Sequence, residues 1–445
     1  MTVSRQRAHE KAILVGVEHK DVDKWDLEDS LIELGQLATT AGAHVVDTVV
    51  QKLEKPTAPF YIGKGKAQDV ARQCARQEVT SVIFDDELSP AQGRNLEQLV
   101  SRKVLDRTQL ILDIFAQRAR TREGRLQIEL AQLHYLLPRL TRMWTHLSRQ
   151  SGGIGTRGPG ETQLEVDRRR VLERIARLER DLKDVRKHRT VQREGRMRRN
   201  WPLASLIGYT NAGKSSLLNL LTGAGVLAED KLFATLDPTT RQVTLPNKLK
   251  LLLTDTVGFI RKLPHTVIES FKATLEEVQV ADLLIHVVDV SHPQFREQIA
   301  AVEAVLRELD ASGKQTLMVL NKIDQVDPDV LIGLKAHYPA AVAISTRTGE
   351  GVDSFIDELQ LRLGAWRMRV DFRVPISDSA AVAELHRVGH VISSRYVGEF
   401  AYVTAHIPPE LRSRLERYAI DEVEMPEAPH AVDDPHAESA VSTVA

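Results

Sequence analysis

The sequence predicts an α/β protein of several domains, and three observations lead to that class. Short β-branched runs alternate with stretches of helical spacing over residues 11–115, a pattern typical of a largely parallel sheet covered by helices. Two long apolar ladders at heptad spacing follow. An apolar strand, a glycine-rich turn and an apolar helix then succeed one another around residue 210. With 445 residues, the chain has room for about three domains with cores of their own.

Composition excludes several classes of protein. Cys74 is the only cysteine, so intrachain disulfides and thiolate metal clusters are ruled out, and a reducing compartment is indicated. The longest apolar runs, such as 283–288, are far shorter than the roughly 20 residues of a membrane helix. Residues 1–11 are too polar for a signal peptide. We therefore expect a cytoplasmic, monomeric protein without stable membrane insertion.

Residues 1–117 are predicted to form an N-terminal α/β domain. Within it, residues 61–66 are glycine-rich and basic and precede a helix, so they are a candidate anion site. They lack full phosphate-loop spacing, and an ordinary strand-to-helix turn is the favoured interpretation. Strands are expected at 11–17, 43–50 and 79–86, and helices at 27–37, 67–77 and 90–100.

Residues 118–199 are predicted to form a basic antiparallel helical hairpin. Apolar residues at intervals of three and four make one a/d ladder over 126–147 and another over 164–185. Pro138 is expected to kink or interrupt the first helix. The tip, 151–160, contains five glycines. It suits either a plain linker or a close approach to an RNA backbone, and the sequence leaves both open.

The net charge of −1 conceals a strong asymmetry along the chain. Residues 118–199 carry 22 Lys+Arg against 10 Asp+Glu, a surplus of 12, which leaves 13 net negative charges on the remainder. A basic arm of this kind is used to bind nucleic-acid phosphates, although charged helix faces are more often merely solvated.

Residues 200–366 are predicted to form a nucleotide-binding domain with a mostly parallel, doubly wound sheet. Strand 203–207 leads into the spacing GxxxxGKS and then into an apolar helix. In such a loop the backbone N–H groups face phosphate oxygens, Lys214 reaches the β and γ phosphates, and the Ser215 hydroxyl binds Mg²⁺. The loop residues expected to contact the nucleotide are Gly208, Tyr209, Thr210, Asn211, Ala212, Gly213, Lys214, Ser215 and Ser216.

Two further segments are expected to sense the γ-phosphate. One is a buried-type strand ending in DTVG, where Asp255 holds Mg²⁺ through water and the Gly258 amide meets the γ-phosphate. The other, 232–240, is polar-tipped and expected to be mobile. There Thr235 is our candidate for a switch hydroxyl that joins Mg²⁺. Thr239 and Thr240 are the alternatives to Thr235. Predicted nucleotide contacts here are Phe233, Ala234, Thr235, Leu236, Asp237, Asp255, Thr256, Val257 and Gly258.

These assignments give a catalytic set and a metal set. Catalytic roles are expected for Lys214, Thr235 and Gly258. The predicted Mg²⁺ ligands are Ser215, Thr235 and, through water, Asp255.

The segment NKID selects the base. Asp324 can accept hydrogen bonds from N1–H and the 2-amino group of guanine, and adenine offers neither donor. This pattern predicts GTP and GDP as ligands and disfavours a P-loop kinase or an ATPase. Residues 341–349 supply amides to the other edge of the base. The predicted base-side contacts are Asn321, Lys322, Ile323, Asp324, Ser345, Thr346 and Arg347.

At this point the sequence resembles a known family. LFATLDPTTR at 232–241, DTVGFI at 255–260, GGIGTRGPGETQLEVDRRR at 152–170 and the order of domains are similar to the HflX family of translational GTPases, related to the Obg group. The resemblance covers about residues 10–410. It implies a cytoplasmic GTPase that binds the large (50S) ribosomal subunit and its rRNA, with the N-terminal domain and hairpin tip near the peptidyl transferase centre.

The resemblance also implies a role in ribosome splitting, rescue of stalled ribosomes or subunit biogenesis. Phe259 occupies the position where small Ras-like GTPases have a glutamine that orients the attacking water, and a phenyl ring cannot hydrogen-bond water. We therefore expect slow hydrolysis that the ribosome stimulates, with Phe259 packed under the switch. The alternative is a non-catalytic module that nucleotide binding gates.

The remaining sequence predicts a small α+β C-terminal domain and a tail. Strands are expected at 369–375 and 400–407, with a helix at 380–388 between them, in a domain spanning 367–419. Residues 420–445 hold seven acidic residues, three prolines and no Lys or Arg, which predicts a disordered acidic tail.

Overall fold

The computed structural model describes residues 10–19, 27–143, 159–197, 201–223, 232–262, 277–363, 368–407 and 409–420. Its contacts divide the chain into two compact units. The first comprises residues 1–245 and 250–359, and the second comprises 246–249 and 360–445. None of the helices in the described ranges is long and apolar enough to cross a membrane.

The first unit opens with a four-stranded sheet in the order β2–β1–β3–β4, in which every pairing is parallel. The predicted N-terminal α/β architecture is therefore observed, with a short fourth strand that was not predicted. The strands are β1 (Glu10–Glu18), β2 (Ala43–Lys52), β3 (Ser81–Phe84) and β4 (Lys103–Asp106). The helices are α1 (Leu27–Ala41), α2 (Lys64–Gln77), α3 (Pro90–Val100) and α4 (Arg107–Arg118).

Strand β1 is buried on both faces because helices cover both sides of the sheet, which is why its sequence is continuously apolar. Ile13 and Val15 point to one core together with Cys74 of α2, which is fully buried. Ala12 and Leu14 point to the opposite core. Successive side chains of a strand alternate between faces, so one short run supports two cores.

The glycine-rich, basic segment before α2 forms a tight turn. The backbones of Thr57 and Tyr61 pair as an antiparallel bridge, and Tyr61 has a positive φ of 65°. The Gly63 N–H donates to Gln51 Oε1 at 2.9 Å. This geometry supports the favoured interpretation, a strand-to-helix turn.

The helical pair consists of α5 (Arg122–Met143) and α6 (Pro159–Met197), and the tip between them lies outside the described residues. Their packing buries Ile175, Leu178 and Leu182 of α6. Helix α5 runs through Pro138 without a break, so the interruption was wrong, and the kink, the other outcome expected there, stays a prediction. Pro138 is exposed, so the carbonyl that loses its helical partner can be hydrated.

Helix α5 also has a second apolar face that the heptad pattern did not reveal. Ile128, Ala131 and Tyr135 are buried in the same core as α4 of the N-terminal sheet. Helix α5 therefore packs against α4 as well as against α6.

The nucleotide domain contains a six-stranded sheet in the order β10–β9–β8–β5–β7–β6. Strand β6 is antiparallel to β7 and the other pairings are parallel, as the sequence predicted. The strands are β5 (Leu203–Ile207), β6 (Thr239–Thr244), β7 (Lys250–Asp255), β8 (Leu283–Asp289), β9 (Thr316–Asn321) and β10 (Val342–Ala343). The helices are α7 (Lys214–Thr222), α8 (Phe295–Glu308), α9 (Pro328–His337) and α10 (Val352–Leu363).

The second unit holds an antiparallel sheet in the order β12–β13–β11–β14. The expected strand, helix and strand are present, but the prediction omitted β12, which pairs with β13 through a turn at Gly398. Ile420, expected in the tail, lies in β14, and residues 421–445 lie outside the described residues. The elements are β11 (Met368–Pro375), α11 (Ser379–Val388), β12 (His390–Val397), β13 (Phe400–Ile407), α12 (Pro409–Arg414) and β14 (Ala419–Ile420).

A buried ion-pair cluster joins the N-terminal sheet to the nucleotide domain. The Arg107 guanidinium at the start of α4 contacts Asp85 at 2.6 Å and Glu33 at 2.7 Å, and it also donates to the Arg261 carbonyl at 3.4 Å. Lys262 contacts the other Asp85 oxygen at 2.5 Å. Burial alone would raise the pKa of Asp85, but Arg107 and Lys262 hold it below its ordinary value.

Replacing Arg107 with methionine should destabilise the protein by roughly 3–5 kcal/mol, because it keeps the volume but removes the buried guanidinium that Asp85 and Glu33 share, leaving Lys262 as the cation beside Asp85. The matched control is Lys52→Met, which removes an ion pair to Glu18 whose lysine side chain is 79% exposed. That change should cost about 0–1 kcal/mol. Urea unfolding followed by circular dichroism measures both. A loss at Arg107 no larger than that at Lys52 would contradict the structural role of the cluster.

Candidate nucleotide-binding site

The site lies where the parallel strands of the nucleotide sheet end. Strand β5 ends at Ile207 and α7 begins at Lys214, so the glycine-rich loop stands at the carboxyl edge, the usual place for a ligand in such sheets. A cavity at this edge is lined by Thr210, Asn211, Gly213, Lys214, Ser215, Ser216, Phe233, Ala234, Thr235, Thr256 and Gly258.

Lys214 is almost fully buried at the floor of this cavity. Its Nζ donates to the carbonyls of Tyr209 at 2.7 Å and Gly208 at 3.2 Å. Burial lowers the pKa of Lys214 to about 8, although Asp255 opposes the shift. His286 lies nearby, and burial followed by the Lys214 charge lowers its pKa to about 4, so it is neutral. A phosphate oxygen beside Lys214 would favour the ammonium form.

The three predicted metal ligands converge on one another. Ser215 Oγ donates to Asp255 Oδ2 at 2.6 Å and lies 2.8 Å from Thr235 Oγ1. The second oxygen, Asp255 Oδ1, is buried without a hydrogen-bond partner. Burial raises the pKa of Asp255, with Lys214 and the two hydroxyls acting in the opposite direction. Two hydroxyls and a carboxylate with a buried, unpaired oxygen are the donors that Mg²⁺ prefers.

The two alternatives to Thr235 are engaged elsewhere. Thr240 Oγ1 lies 2.9 Å from Thr254 Oγ1, and Thr239 Oγ1 donates to the Asp237 carbonyl at 3.5 Å. Both belong to β6. The geometry therefore favours Thr235 as the switch hydroxyl.

Two backbone hydrogen bonds join the residue after DTVG to the phosphate loop. The Thr210 N–H donates to the Phe259 carbonyl at 2.8 Å, and the Phe259 N–H donates to the Gly208 carbonyl at 3.1 Å. A Cβ at Gly258 would lie 2.8 Å from Thr210 Cα and 2.9 Å from Lys214 Nζ, so glycine is required for this approach. The Phe259 side chain is 2% exposed and packs in the core, as expected.

The base side of the site is braced by NKID and the loop after β10. Ser345 Oγ donates to Asp324 Oδ1 at 2.7 Å, which orients the carboxylate. Asn321 Nδ2 donates to the Ala212 carbonyl at 2.8 Å, and the Thr346 N–H donates to Asn321 Oδ1 at 3.1 Å. Asn321 thereby ties the base side to the phosphate loop.

The flanking residues of NKID have different surroundings. Lys322 Nζ lies 2.6 Å from Asp289 Oδ2, and Arg347 lies 3.9 Å from Asp324 Oδ2. Ile323 was predicted to contact nucleotide, but its side chain is buried in the core beside α9. Only the backbone of Ile323 therefore lies at the nucleotide side of the NKID loop.

Several predicted contacts point their side chains away from the cavity. Tyr209 Oη donates to Glu33 at 2.5 Å and accepts from the Arg261 N–H at 2.9 Å. The Asp237 carboxylate accepts hydrogen bonds from Arg120 and Thr121 at the base of the hairpin. Leu236 and Val257 are buried in the core.

Segment 232–240 is also packed more closely than its sequence suggested. Leu232, Phe233 and Leu236 are at most 5% exposed, and the Phe233 ring meets Phe115 of α4 edge to face with centroids 4.6 Å apart. The apolar residues of this segment are therefore anchored, and the mobility of its polar tip stays a prediction. Local sequence showed only the polar tip, because the receiving surface comes from another domain.

Sequence reasoning missed the charged residues that hold this arrangement. Lys262 bridges Asp85 and Asp86 at 2.5 Å each, close to the Arg107 cluster. Two adjacent aspartates directly after buried strand β3, and an arginine opening the apolar helix α4, were the available signals. Neither identifies its partner, because the partners are far apart in sequence.

Comparisons with known proteins extend this description. Residues 28–116 match the profile described as "GTP-binding GTPase N-terminal", residues 118–196 match "GTP-binding GTPase Middle Region", and residues 204–322 match "50S ribosome-binding GTPase". The curated GTPase HflX of Lacrimispora saccharolytica is 46% identical over 413 residues, which cover 93% of this chain and 97% of that protein. The chain belongs to the HflX family of GTPases.

A second HflX protein and a solved GTP-binding protein are also similar to this chain. GTPase HflX of Escherichia coli K12 is 46% identical over 378 residues, covering 83% of this chain and 87% of that protein. A GTP-binding protein from Sulfolobus solfataricus, solved with GDP, is 26% identical over 79% of this chain and 98% of its own, with a TM-score of 0.44.

Membership of the HflX family confirms the predicted resemblance and the predicted enzyme class, a P-loop GTPase. It sets aside the alternative of a non-catalytic module.

Asp324→Asn should reverse the preference for the base. An amide cannot accept from both guanine donors, and we expect GDP affinity to fall roughly 30-fold, about 2 kcal/mol, while xanthosine diphosphate binds better. Asp327→Asn is the matched control, since Asp327 caps α9 and receives the Asp329 N–H. Fluorescence titrations with both nucleotides measure the change. Unaltered discrimination between the two nucleotides in Asp324→Asn would overturn the assignment.

Proposed function

We propose that this chain is a GTPase that binds the large (50S) ribosomal subunit, where its hydrolysis of GTP is stimulated, and that it acts in ribosome splitting, rescue or subunit biogenesis. The observation that carries this proposal is the match of residues 204–322 to the 50S ribosome-binding GTPases, within a chain of the HflX family. The proposed setting is the cytoplasm, and the partners are rRNA, GTP and GDP.

The hairpin supports an RNA partner. Helix α6 is 39 residues long, and its basic residues from Arg168 to Lys183 are exposed, although Arg169, Arg170 and Arg174 form ion pairs with Glu173, Asp167 and Glu129. Together with the surplus of 12 positive charges over 118–199, this surface suits rRNA phosphates. Close approach to RNA is the function we propose for the glycine-rich tip.

The residues of the site have distinct proposed roles in hydrolysis. Lys214 neutralises charge on the β and γ phosphates, and the Gly258 N–H binds the γ-phosphate. Ser215 and Thr235 would hold Mg²⁺, with Asp255 acting through water. The ion supplies charge stabilisation at the phosphate oxygens. Asp324 and Ser345 hold the guanine and thereby fix the position of the phosphates.

The side chain that follows Gly258 cannot orient the attacking water. Phe259 is buried and has no hydrogen-bonding group. We propose that docking on the large subunit completes the site, through an RNA group or through backbone groups of 232–240 and of the segment after Gly258. Excluding solvent strengthens such hydrogen bonds at the reacting centre.

Single-turnover hydrolysis of GTP, measured with and without purified 50S subunits, tests the proposal. We expect at least about a hundredfold stimulation, which corresponds to roughly 2.7 kcal/mol and needs one or two well-placed hydrogen bonds. Purified 30S subunits at the same concentration are the control and should leave the rate unchanged.

Deleting residues 152–160 separates the two interpretations of the tip. Loss of stimulation with an unchanged basal rate supports contact of the tip with RNA. Full stimulation of the deletion variant would return the tip to the role of a linker. Equal rates of the intact protein at saturating 50S subunits would overturn activation by the ribosome.

A further inference from the structure

The Asp237 carboxylate is hydrogen-bonded to the residues that immediately precede helix α5, and this set of contacts is called its seat below. Its Oδ2 accepts the Arg120 N–H at 2.8 Å and the Thr121 N–H at 3.0 Å, and its Oδ1 accepts the Thr121 hydroxyl. The same hydroxyl accepts the Gly124 N–H at 3.0 Å. Helix α5 begins at Arg122, so Thr121 caps it and Asp237 extends the cap from another domain. A carboxylate is also the favoured charge at a helix N-terminus.

Gly124 makes space for this carboxylate. A Cβ at Gly124 would lie 2.6 Å from Asp237 Oδ1, which no side chain can occupy without displacing it. Glycine in a helix ordinarily weakens it relative to alanine. Its presence in the first turn of α5 is explained by the seat for Asp237 rather than by the helix itself.

Asp237 lies two residues after Thr235, the hydroxyl beside Ser215 and Asp255. Between them Leu236 is 3% exposed, and Phe233 packs against Phe115. The segment is thus held at both ends, by an aromatic contact before Thr235 and by the carboxylate seat after it. A short span fixed in this way restricts the positions open to the Thr235 hydroxyl.

We propose that Asp237 is a positioning residue for GTP hydrolysis. The hydrogen bonds of Asp237 at the start of α5 hold Thr235 at the Mg²⁺ side of the nucleotide site. The same bonds restrict the motion of the first turn of α5. The coupling is reciprocal: the contact that limits the motion of segment 232–240 equally limits the motion of the first turn of α5. This proposal rests on the GTPase activity of the family and does not require ribosome binding.

Two substitutions in different domains remove the same contact. Asp237→Ala removes both acceptor oxygens, and Gly124→Ala displaces the carboxylate sterically. Gly93→Ala is the matched control, because a Cβ there meets nothing within 4 Å in helix α3. Circular dichroism of each variant verifies the fold, and two independent substitutions keep the test valid where one of them fails to fold.

Without ribosomes, we expect either substitution to lower kcat for GTP about tenfold and to raise the Mg²⁺ concentration for half-maximal activity. GDP affinity should stay within twofold, because Thr235 serves the γ-phosphate state. The double variant should match the single ones, since each removes the same contact. Gly93→Ala should leave all three quantities unchanged.

Hydrogen–deuterium exchange gives a readout that does not depend on turnover. Both variants should exchange faster in 120–125 and also in 232–240, whichever domain carries the substitution. An unchanged or raised kcat, additive effects in the double variant, or faster exchange confined to the substituted domain would each overturn the proposal. The measurements contain no ribosomes, so a failure here is separate from a failure of 50S stimulation.

Discussion

The buried guanidinium of Arg107 is the interaction on which the first unit depends. It neutralises Asp85 and Glu33, and it reaches the Arg261 carbonyl in the segment that follows DTVG. Arg107, Asp85 and Glu33 all lie in the N-terminal sheet and its helices, whereas Lys262, the Arg261 carbonyl and the Tyr209 hydroxyl reach this cluster from the nucleotide domain. Separation would deprive Asp85 of its second cation and Glu33 of the Tyr209 hydroxyl. The cluster therefore specifies how the two sheets adjoin, and the switch segments are built against that junction.

Much of the nucleotide site could be predicted from sequence, because its chemistry depends on short local spacings. The loop before Lys214, the aspartate that ends β7 and the NKID segment each lie at the end of a parallel strand. The topology of the sheet then brings them to one edge. Thr235 beside Ser215 and Asp255 was predicted on the same grounds, and the observed 2.8 Å contact supports it.

The parts that sequence could not supply depend on contacts between domains. Nothing in LDPTT indicates that Asp237 faces a helix rather than nucleotide, since its donors lie 116 and 117 residues away. The partners of Arg107 were hidden for the same reason. Strand β12 is a different case, because its β-branched and aromatic residues at 391, 392, 396 and 397, followed by Gly398, are a signal for a strand and a turn in the sequence itself. Local patterns specify elements, whereas the choice of partner depends on packing across the whole unit.

The burial of Cys74 has a practical consequence for measuring motion in this protein. The thiol is fully buried in α2 and desolvation raises its pKa, so it is protonated and shielded from electrophiles at neutral pH. As the chain has no other cysteine, thiol-reactive labels should not modify the native protein. A pair of cysteines introduced at exposed positions would carry fluorophores or spin labels without prior removal of native thiols. Distances between the switch segments and the long helices thus become measurable in solution with otherwise unaltered protein.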